Sequence, residues 1–253
     1  METIVLAHAV YVAVMAAGAA VIAWWSREPR GVPRYEYLVH AAIPIWSGIA
    51  YLTVVFDLGT LEVGERAVYI ARYADWVVTT PLLLLVLGWM AMHYSEHKRV
   101  ALLATLVLAD VVMITTGLIA DLTTDTAATW TFYGIGVAAL LLIIYLTWDP
   151  LRRIAQASHA ELGRRYVQMA AFLTVMWIGY PTVWLLGPSG LGVLGETTDV
   201  LLFVVLPIFS KVVFSLLVLA ILRGLPGDET VTADIDAHAE TLGHLDRADP
   251  PRR

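Results

Sequence analysis

The segment Leu201–Ile221 is long enough to cross a bilayer and carries a single charge, at Lys211. A bare ammonium at membrane depth costs roughly 3 kcal/mol by insertion scales. A chain tolerates that cost for a partner or for a chemical use. A desolvated lysine amine attacks carbonyls and forms Schiff bases. Arg72, Asp75 and Thr79 are spaced i, i+3 and i+7, so they share one face of a helix. Asp75 can supply the negative charge that a protonated Schiff base on Lys211 requires. Arg72, one turn further out, can hold Asp75 ionised. The competing reading is a structural ion pair between helices. Asp110, His40 and Asp199 complete the ionisable groups inside or near the apolar runs.

Tyr73, Trp76, Tyr133, Trp177, Tyr180 and Trp184 all fall at intermediate depth, and Trp177, Tyr180 and Trp184 follow the i, i+3, i+7 spacing. An aromatic stripe is usually core. Here, with Met113 and Gly117, it can wall a slot for a long flat polyene, Gly117 removing a side chain where a ring must fit. Apolar walls with a few placed polar groups are the usual makeup of a ligand pocket. Together these residues point to an aldehyde chromophore tethered inside a helical membrane protein.

The elements that must position them follow from hydropathy. The chain has 253 residues, of which 59% are hydrophobic and 15% charged, and its mean hydropathy is +0.72. Seven apolar spans are counted, at about 4–25, 36–57, 68–92, 99–120, 128–148, 165–187 and 198–223. The breaks are Arg27–Arg34, Asp57–Glu65, Tyr94–Arg99, Asp121–Thr126, Asp149–Arg164 and Gly187–Thr197. The expected fold is all-α, a seven-transmembrane-helix bundle over residues 1–226, multi-pass in the cell membrane. Residues 227–253 form an acidic tail whose composition predicts disorder. Arg27, Arg30, Arg34, Lys98, Arg99, Arg152, Arg153, Arg164, Arg165 and Arg223 lie at one end of the bundle, and Arg66 alone at the other. The positive-inside rule then places the N-terminus outside and the C-terminus in the cytoplasm. Cysteine is absent, which excludes disulfides and thiolate metal sites. The scattered histidines show no metal-ligand spacing within a span, so no metal site is expected. The net charge of −6 gives no basis for nucleic-acid binding. The N-terminus reads as the start of a span rather than a cleavable signal.

Arg72-Tyr-Ala-Asp75-Trp76-Val-Val-Thr79-Thr80-Pro81 strongly resembles the third helix of microbial (type I) rhodopsins of the archaeal bacteriorhodopsin and sensory rhodopsin group. Asp110-Val-Val-Met113-Ile-Thr-Thr-Gly117-Leu resembles their fourth helix, Trp177-Ile-Gly-Tyr180-Pro181-Thr-Val-Trp184 their sixth, and Phe209-Ser210-Lys211-Val-Val-Phe their seventh. The resemblance implies all-trans retinal bound covalently to Lys211, photoisomerisation as the primary event, and no enzymatic role. It implies Asp75 as counterion and proton acceptor, within a network of Arg72, Tyr51, Thr79 and Asp199. It implies a retinal pocket of Tyr73, Trp76, Thr80, Met113, Gly117, Tyr133, Gly136, Trp177, Tyr180, Pro181, Trp184, Pro207 and Ser210.

Departures from the family pattern refine the expectation. The family's second counterion, an aspartate one turn before the lysine, is Pro207 here. Proline carries no charge and no N–H, and its ring clashes with the carbonyl of Phe203, so loosening of the helix is expected there. A chloride near Lys211, Pro207 and Asp75 is a candidate substitute. The cytoplasmic proton donor of the pumps is Val86 here, which predicts slow reprotonation, with His40 as a candidate surrogate. One of the pumps' two outward glutamates is Ser189 and the other aligns with Asp199. Gly136 and the Tyr180–Ser210 pair resemble sensory rhodopsin II, the subtype closest in features, whereas its transducer-contacting tyrosine is Val205 here. The first expectation is therefore a retinal photoreceptor with a slow photocycle. It would lie in membrane lipid, with a two-helix transducer reading helices six and seven, and with homo-oligomers also open. The alternatives are a low-turnover outward proton pump and an anion-modulated opsin with an atypical counterion.

Overall fold

A computed structural model describes residues 2–64 and 66–225. The expected tail of 227–253 and the loop acid Glu65 lie outside the described residues. Among the described residues, seven helices are long and apolar enough to cross a membrane: Glu2–Trp25, Arg34–Val55, Ile70–Ala91, Val100–Leu122, Thr126–Ser158, Ala160–Leu186 and Glu196–Leu222. In lipid each backbone polar group must be satisfied within the protein, and a helix does so within its own segment. Short connections make consecutive helices neighbours, and the seventh returns against the first to close the ring. The third helix is the most buried and touches the second, fourth and sixth. It is therefore the strut on which a central site can be built.

The expected break at 149–164 is a correction. The fifth helix runs on to Ser158, and the sixth begins at Ala160. Only His159 leaves helical geometry, at φ −160° and ψ 134°. Charge ends an apolar run but does not end a helix. Asp149 pairs with Arg153 at 2.6 Å, and Glu161 with Arg165 at 2.8 Å, each at i, i+4 spacing. Pro150, which lacks an N–H, sits in a π-helical segment, Thr147–Leu151. Buried Tyr166 donates to the Thr147 carbonyl at 2.8 Å and fixes that segment against the sixth helix.

The loop between the second and third helices holds a short hairpin that hydropathy did not signal. Leu61–Val63 pairs antiparallel with Arg66–Val68. It delivers Arg66 to the end of the fourth helix, where its guanidinium donates to Asp121 Oδ1 at 2.9 Å and to the Asp121 and Thr123 carbonyls at 2.8 and 3.2 Å. The last carbonyls of a helix need such donors. Asp121, expected as a loop charge, is instead buried on the fourth helix and also accepts from the Tyr73 hydroxyl at 2.9 Å.

The first and seventh helices approach closely at Gly18. A Cβ there would lie 2.6 Å from Val212 Cγ1, next to Lys211 in sequence. Valine is stiff at χ1 and cannot swing away. Gly18→Ala is expected to lower stability by about 1–3 kcal/mol, the usual cost of overpacking, read as a drop in melting temperature in detergent.

Candidate functional site

Pro207 ends the regular first half of the seventh helix, and a π-helical segment, Ile208–Val213, follows it. The proline offers no N–H to the Phe203 carbonyl four residues earlier. The Tyr51 hydroxyl donates to that carbonyl at 3.4 Å. The loosening expected beside Pro207 thus takes the form of a widened turn, and Lys211 lies within it. Lys211 and Asp75 are both completely buried and form an ion pair. The lysine Nζ also donates to Ser47 Oγ at 3.2 Å. Thr79 Oγ1 lies 2.9 Å from the Asp75 carbonyl and 3.1 Å from Asp75 Oδ1, so its proton is shared between them.

Of the expected network partners of Arg72, the structure pairs it with Asp199 and not with Asp75. Its guanidinium pairs with Asp199 at 2.9 Å, with both side chains 8% exposed. It is sandwiched between the Tyr69 and Phe203 rings, 4.4 and 4.2 Å from their centroids. Asp75 is already neutralised by Lys211, while Asp199 on the seventh helix is a buried carboxylate that must find a cation. Gly187 leaves room for this, since a Cβ there would lie 2.5 Å from Asp199 Oδ1. Removing one partner of a buried pair strands the other. Arg72→Gln is therefore expected to cost about 3–5 kcal/mol. Arg72→Gln with Asp199→Asn should recover much of that loss in a thermal melt.

Beside the ion pair lies an apolar cleft between the third, fourth, fifth and sixth helices. Of the expected pocket, Tyr73, Trp76, Thr80, Met113, Gly117, Tyr133, Gly136, Trp177, Tyr180, Pro181 and Trp184 all line it. Pro207 and Ser210 do not, and neither does Lys211. The connection runs through Tyr180, which lines the cleft and bonds Ser210 at 2.9 Å. Trp76 meets Tyr180 edge-on at 5.3 Å, and Tyr133 stacks on Trp184 at 4.8 Å. Ile114, Val137 and Leu140 also line the cleft and were missed. Aliphatic residues in an apolar helix carry no signal that separates a lining position from a lipid-facing one. At Gly136 the reason for glycine includes packing: a Cβ would sit 3.1 Å from Thr116 Oγ1 and 3.4 Å from the Met113 carbonyl. Asp110 is fully buried and accepts from the Thr80 hydroxyl at 2.7 Å, which ties the fourth helix to the third.

Toward the arginine-rich end, Val86 is buried and offers no acid. His40 is buried, and neither ring nitrogen has a hydrogen-bond partner. Glu36, one turn from His40 on the second helix, is a buried carboxylate absent from the inventory drawn from sequence. Its place in the first turn made it resemble an interfacial charge. The second lysine, Lys98, lies between helices and donates to the Met92 carbonyl. Burial holds its ammonium below the ordinary lysine value, with the Glu36 charge opposing that shift.

The site is thus a buried amine paired with a buried carboxylate, beside an aromatic cleft and below an Arg–Asp pair. Comparison with known proteins gives the family. The family described as "Bacteriorhodopsin-like protein" matches residues 2–225. The chain belongs to this microbial rhodopsin family. It is 36% identical to archaerhodopsin-3 of Halorubrum sodomense over 74% of this chain and 72% of that protein. It is 30% identical to sensory rhodopsin-2 of Natronomonas pharaonis over 89% of this chain and 93% of that protein. Among solved structures, the light-driven proton pump rhodopsin of Coccomyxa subellipsoidea superposes with a TM-score of 0.79 at 29% identity, covering 87% of this chain and 97% of that one. The rhodopsin fold of this chain thus has both sensory and pumping relatives, and it is a multi-pass membrane protein.

Proposed function

We propose that this rhodopsin is a retinal photoreceptor with a slow cycle, its N-terminus outside the cell and its arginine-rich end in the cytoplasm. The observation that carries the retinal reading is Lys211. It is a fully buried amine with a buried carboxylate partner, one residue from the Ser210–Tyr180 bond that leads into the aromatic cleft. These residues fit an aldehyde-bearing polyene. The tyrosine and tryptophan rings offer flat apolar walls, and Lys211 offers the nucleophile. Bound there through an imine formed with loss of water, retinal would supply light absorption and isomerisation.

The chain's own residues do the rest. Asp75 balances the positive nitrogen and is the nearest acceptor for its proton. Thr79 holds Asp75 in orientation. Arg72 and Asp199 close the outer side with a paired charge. The Tyr180–Ser210 bond joins the sixth helix to the turn that carries Lys211, so strain at the lysine is passed to the sixth helix. Val86 offers no proton for fast return, which favours a state that persists long enough to signal. A two-helix membrane partner on the sixth and seventh helices would read the shift, with Val205, itself 46% exposed, in place of the family's tyrosine.

The test is illumination of cells that express the protein with retinal. The expected result is an absorbance change decaying over about hundreds of milliseconds, with no sustained pH change in the medium. Azide should shorten the decay by supplying a mobile proton carrier. A protonophore-sensitive pH change at tens of protons per second would contradict the sensory reading.

A second reading, proton transport of low turnover, is favoured by the intact column of Lys211, Asp75, Arg72 and Asp199 and by unpartnered His40 toward the other end. The sign of the pH change gives its direction: acidification of the medium means outward transport. The anion reading is tested by titrating chloride into sulfate buffer. Since Lys211 already has Asp75 on one side and Ser47 on the other, the expected result is no shift of the absorption maximum.

A further inference from the structure

The Lys211 nitrogen has a second polar neighbour, on the first two helices. Its Nζ donates to Ser47 Oγ at 3.2 Å, and the Ser47 hydroxyl lies 2.5 Å from the Tyr11 hydroxyl. Tyr11, Ser47 and Lys211 are each completely buried. The row is continuous from the first helix through the second to the seventh.

The packing shows why Tyr11 serves here and Tyr51 does not. The two rings are 4.3 Å apart. The Tyr51 hydroxyl is directed to the Phe203 carbonyl, which Pro207 leaves without its helical donor. The same proline that places no carboxylate beside Lys211 therefore also draws Tyr51 away. Tyr11, Met15 and Gly18 follow i, i+4, i+7 spacing and are buried on one face of the first helix. Gly18 lets that face approach Val212 closely, and on the same face Met15 Cβ would lie 3.5 Å from a Cβ at Gly48, the neighbour of Ser47.

An ammonium has three donor directions, and Asp75 and Ser47 take two of them. For a nitrogen left with one N–H, Asp75 and Ser47 are competing acceptors. The strength of the Ser47 oxygen as acceptor then matters. Either hydroxyl of the Tyr11–Ser47 pair can be the donor; with the Ser47 proton on the Tyr11 oxygen, Ser47 accepts more strongly, because hydrogen bonds in a chain polarise one another.

We propose that Tyr11 is a positioning residue of the Lys211 site, acting through Ser47 to hold the nitrogen's second hydrogen-bond acceptor where no neighbouring carboxylate stands. The proposal rests on the retinal reading for the purpose of Lys211, but the row itself is tested without retinal. The chain has two lysines, Lys98 and Lys211. Full-length protein labelled with lysine carrying 15N at Nζ gives two side-chain resonances, and Lys98→Arg assigns them. Tyr11→Phe keeps the ring that packs on Tyr51 and is expected to shift the Lys211 resonance. Ser47→Ala should shift it further, and the double variant should match Ser47→Ala alone. Ser47→Thr, which keeps the hydroxyl, should restore the parental position. With all-trans retinal added, the dark absorption maximum should move in the same order. An unmoved Lys211 resonance in Tyr11→Phe, or shifts that add in the double variant, would overturn the proposal. If the resonances behave as expected while the parent stays colourless with retinal, the Tyr11 assignment stands and the retinal reading falls.

Discussion

Lys211→Ala protein mixed with all-trans retinal is expected to stay colourless. Lys98 cannot substitute, because it lies between helices near one end of the bundle and donates to the Met92 carbonyl. The single substitution also strands Asp75, a carboxylate with no exposure. That should cost about 3–5 kcal/mol and confuse loss of chemistry with loss of fold. The informative variant is therefore Lys211→Ala with Asp75→Asn, which removes both charges. It should melt close to the parent, by circular dichroism, and still take up no colour. A visible band in this double variant would place the chromophore elsewhere.

Asp75→Asn alone is expected to have the second largest effect. Among the described residues, Asp75 is the carboxylate paired with Lys211, and Asp199 is held by Arg72. A neutral amide cannot balance the nitrogen's charge. The expected loss is about 3 kcal/mol, which is about 100-fold in proton occupancy at a fixed pH. In spectra at neutral pH the visible band should collapse in favour of a near-ultraviolet one, and acidification should restore it. Asp75→Glu, which keeps the charge, should retain the visible band. A parental spectrum in Asp75→Asn would mean that another anion balances Lys211, and the chloride titration would then find it.

These two residues were legible in the sequence because charge in an apolar span is rare and expensive. The aromatic cleft was legible for a related reason: the i, i+3, i+7 rings of the sixth helix meet Tyr73, Trp76 and Tyr133 only if the third, fifth and sixth helices pack face to face. What was not legible depended on pairing across helices. Arg72 can reach toward Asp75 or Asp199, and spacing along its own helix does not choose between them. The choice follows from Lys211 already occupying Asp75. The helical passage through Arg152 and Arg153 was hidden because hydropathy reports the edge of the membrane and not the end of a helix. The Tyr11–Ser47 pair was hidden because tyrosine and serine are ordinary in apolar helices, and only the packing of the first helix on the second and seventh brings them to the lysine. The buried carboxylate of Glu36 was masked by its place in a first helical turn, where acidic residues are common at the surface.

The central claim is that Lys211 carries retinal, and the most direct measurement is reductive trapping. Protein reconstituted with all-trans retinal is treated with borohydride in the light, which adds hydride across the carbon–nitrogen double bond and leaves a stable amine. Peptide mass spectrometry then locates the adduct. The expected result is a retinyl group on the peptide containing Lys211, with the Lys98 peptide unmodified. An adduct on Lys98, or none from a protein that had taken up colour, would contradict the account.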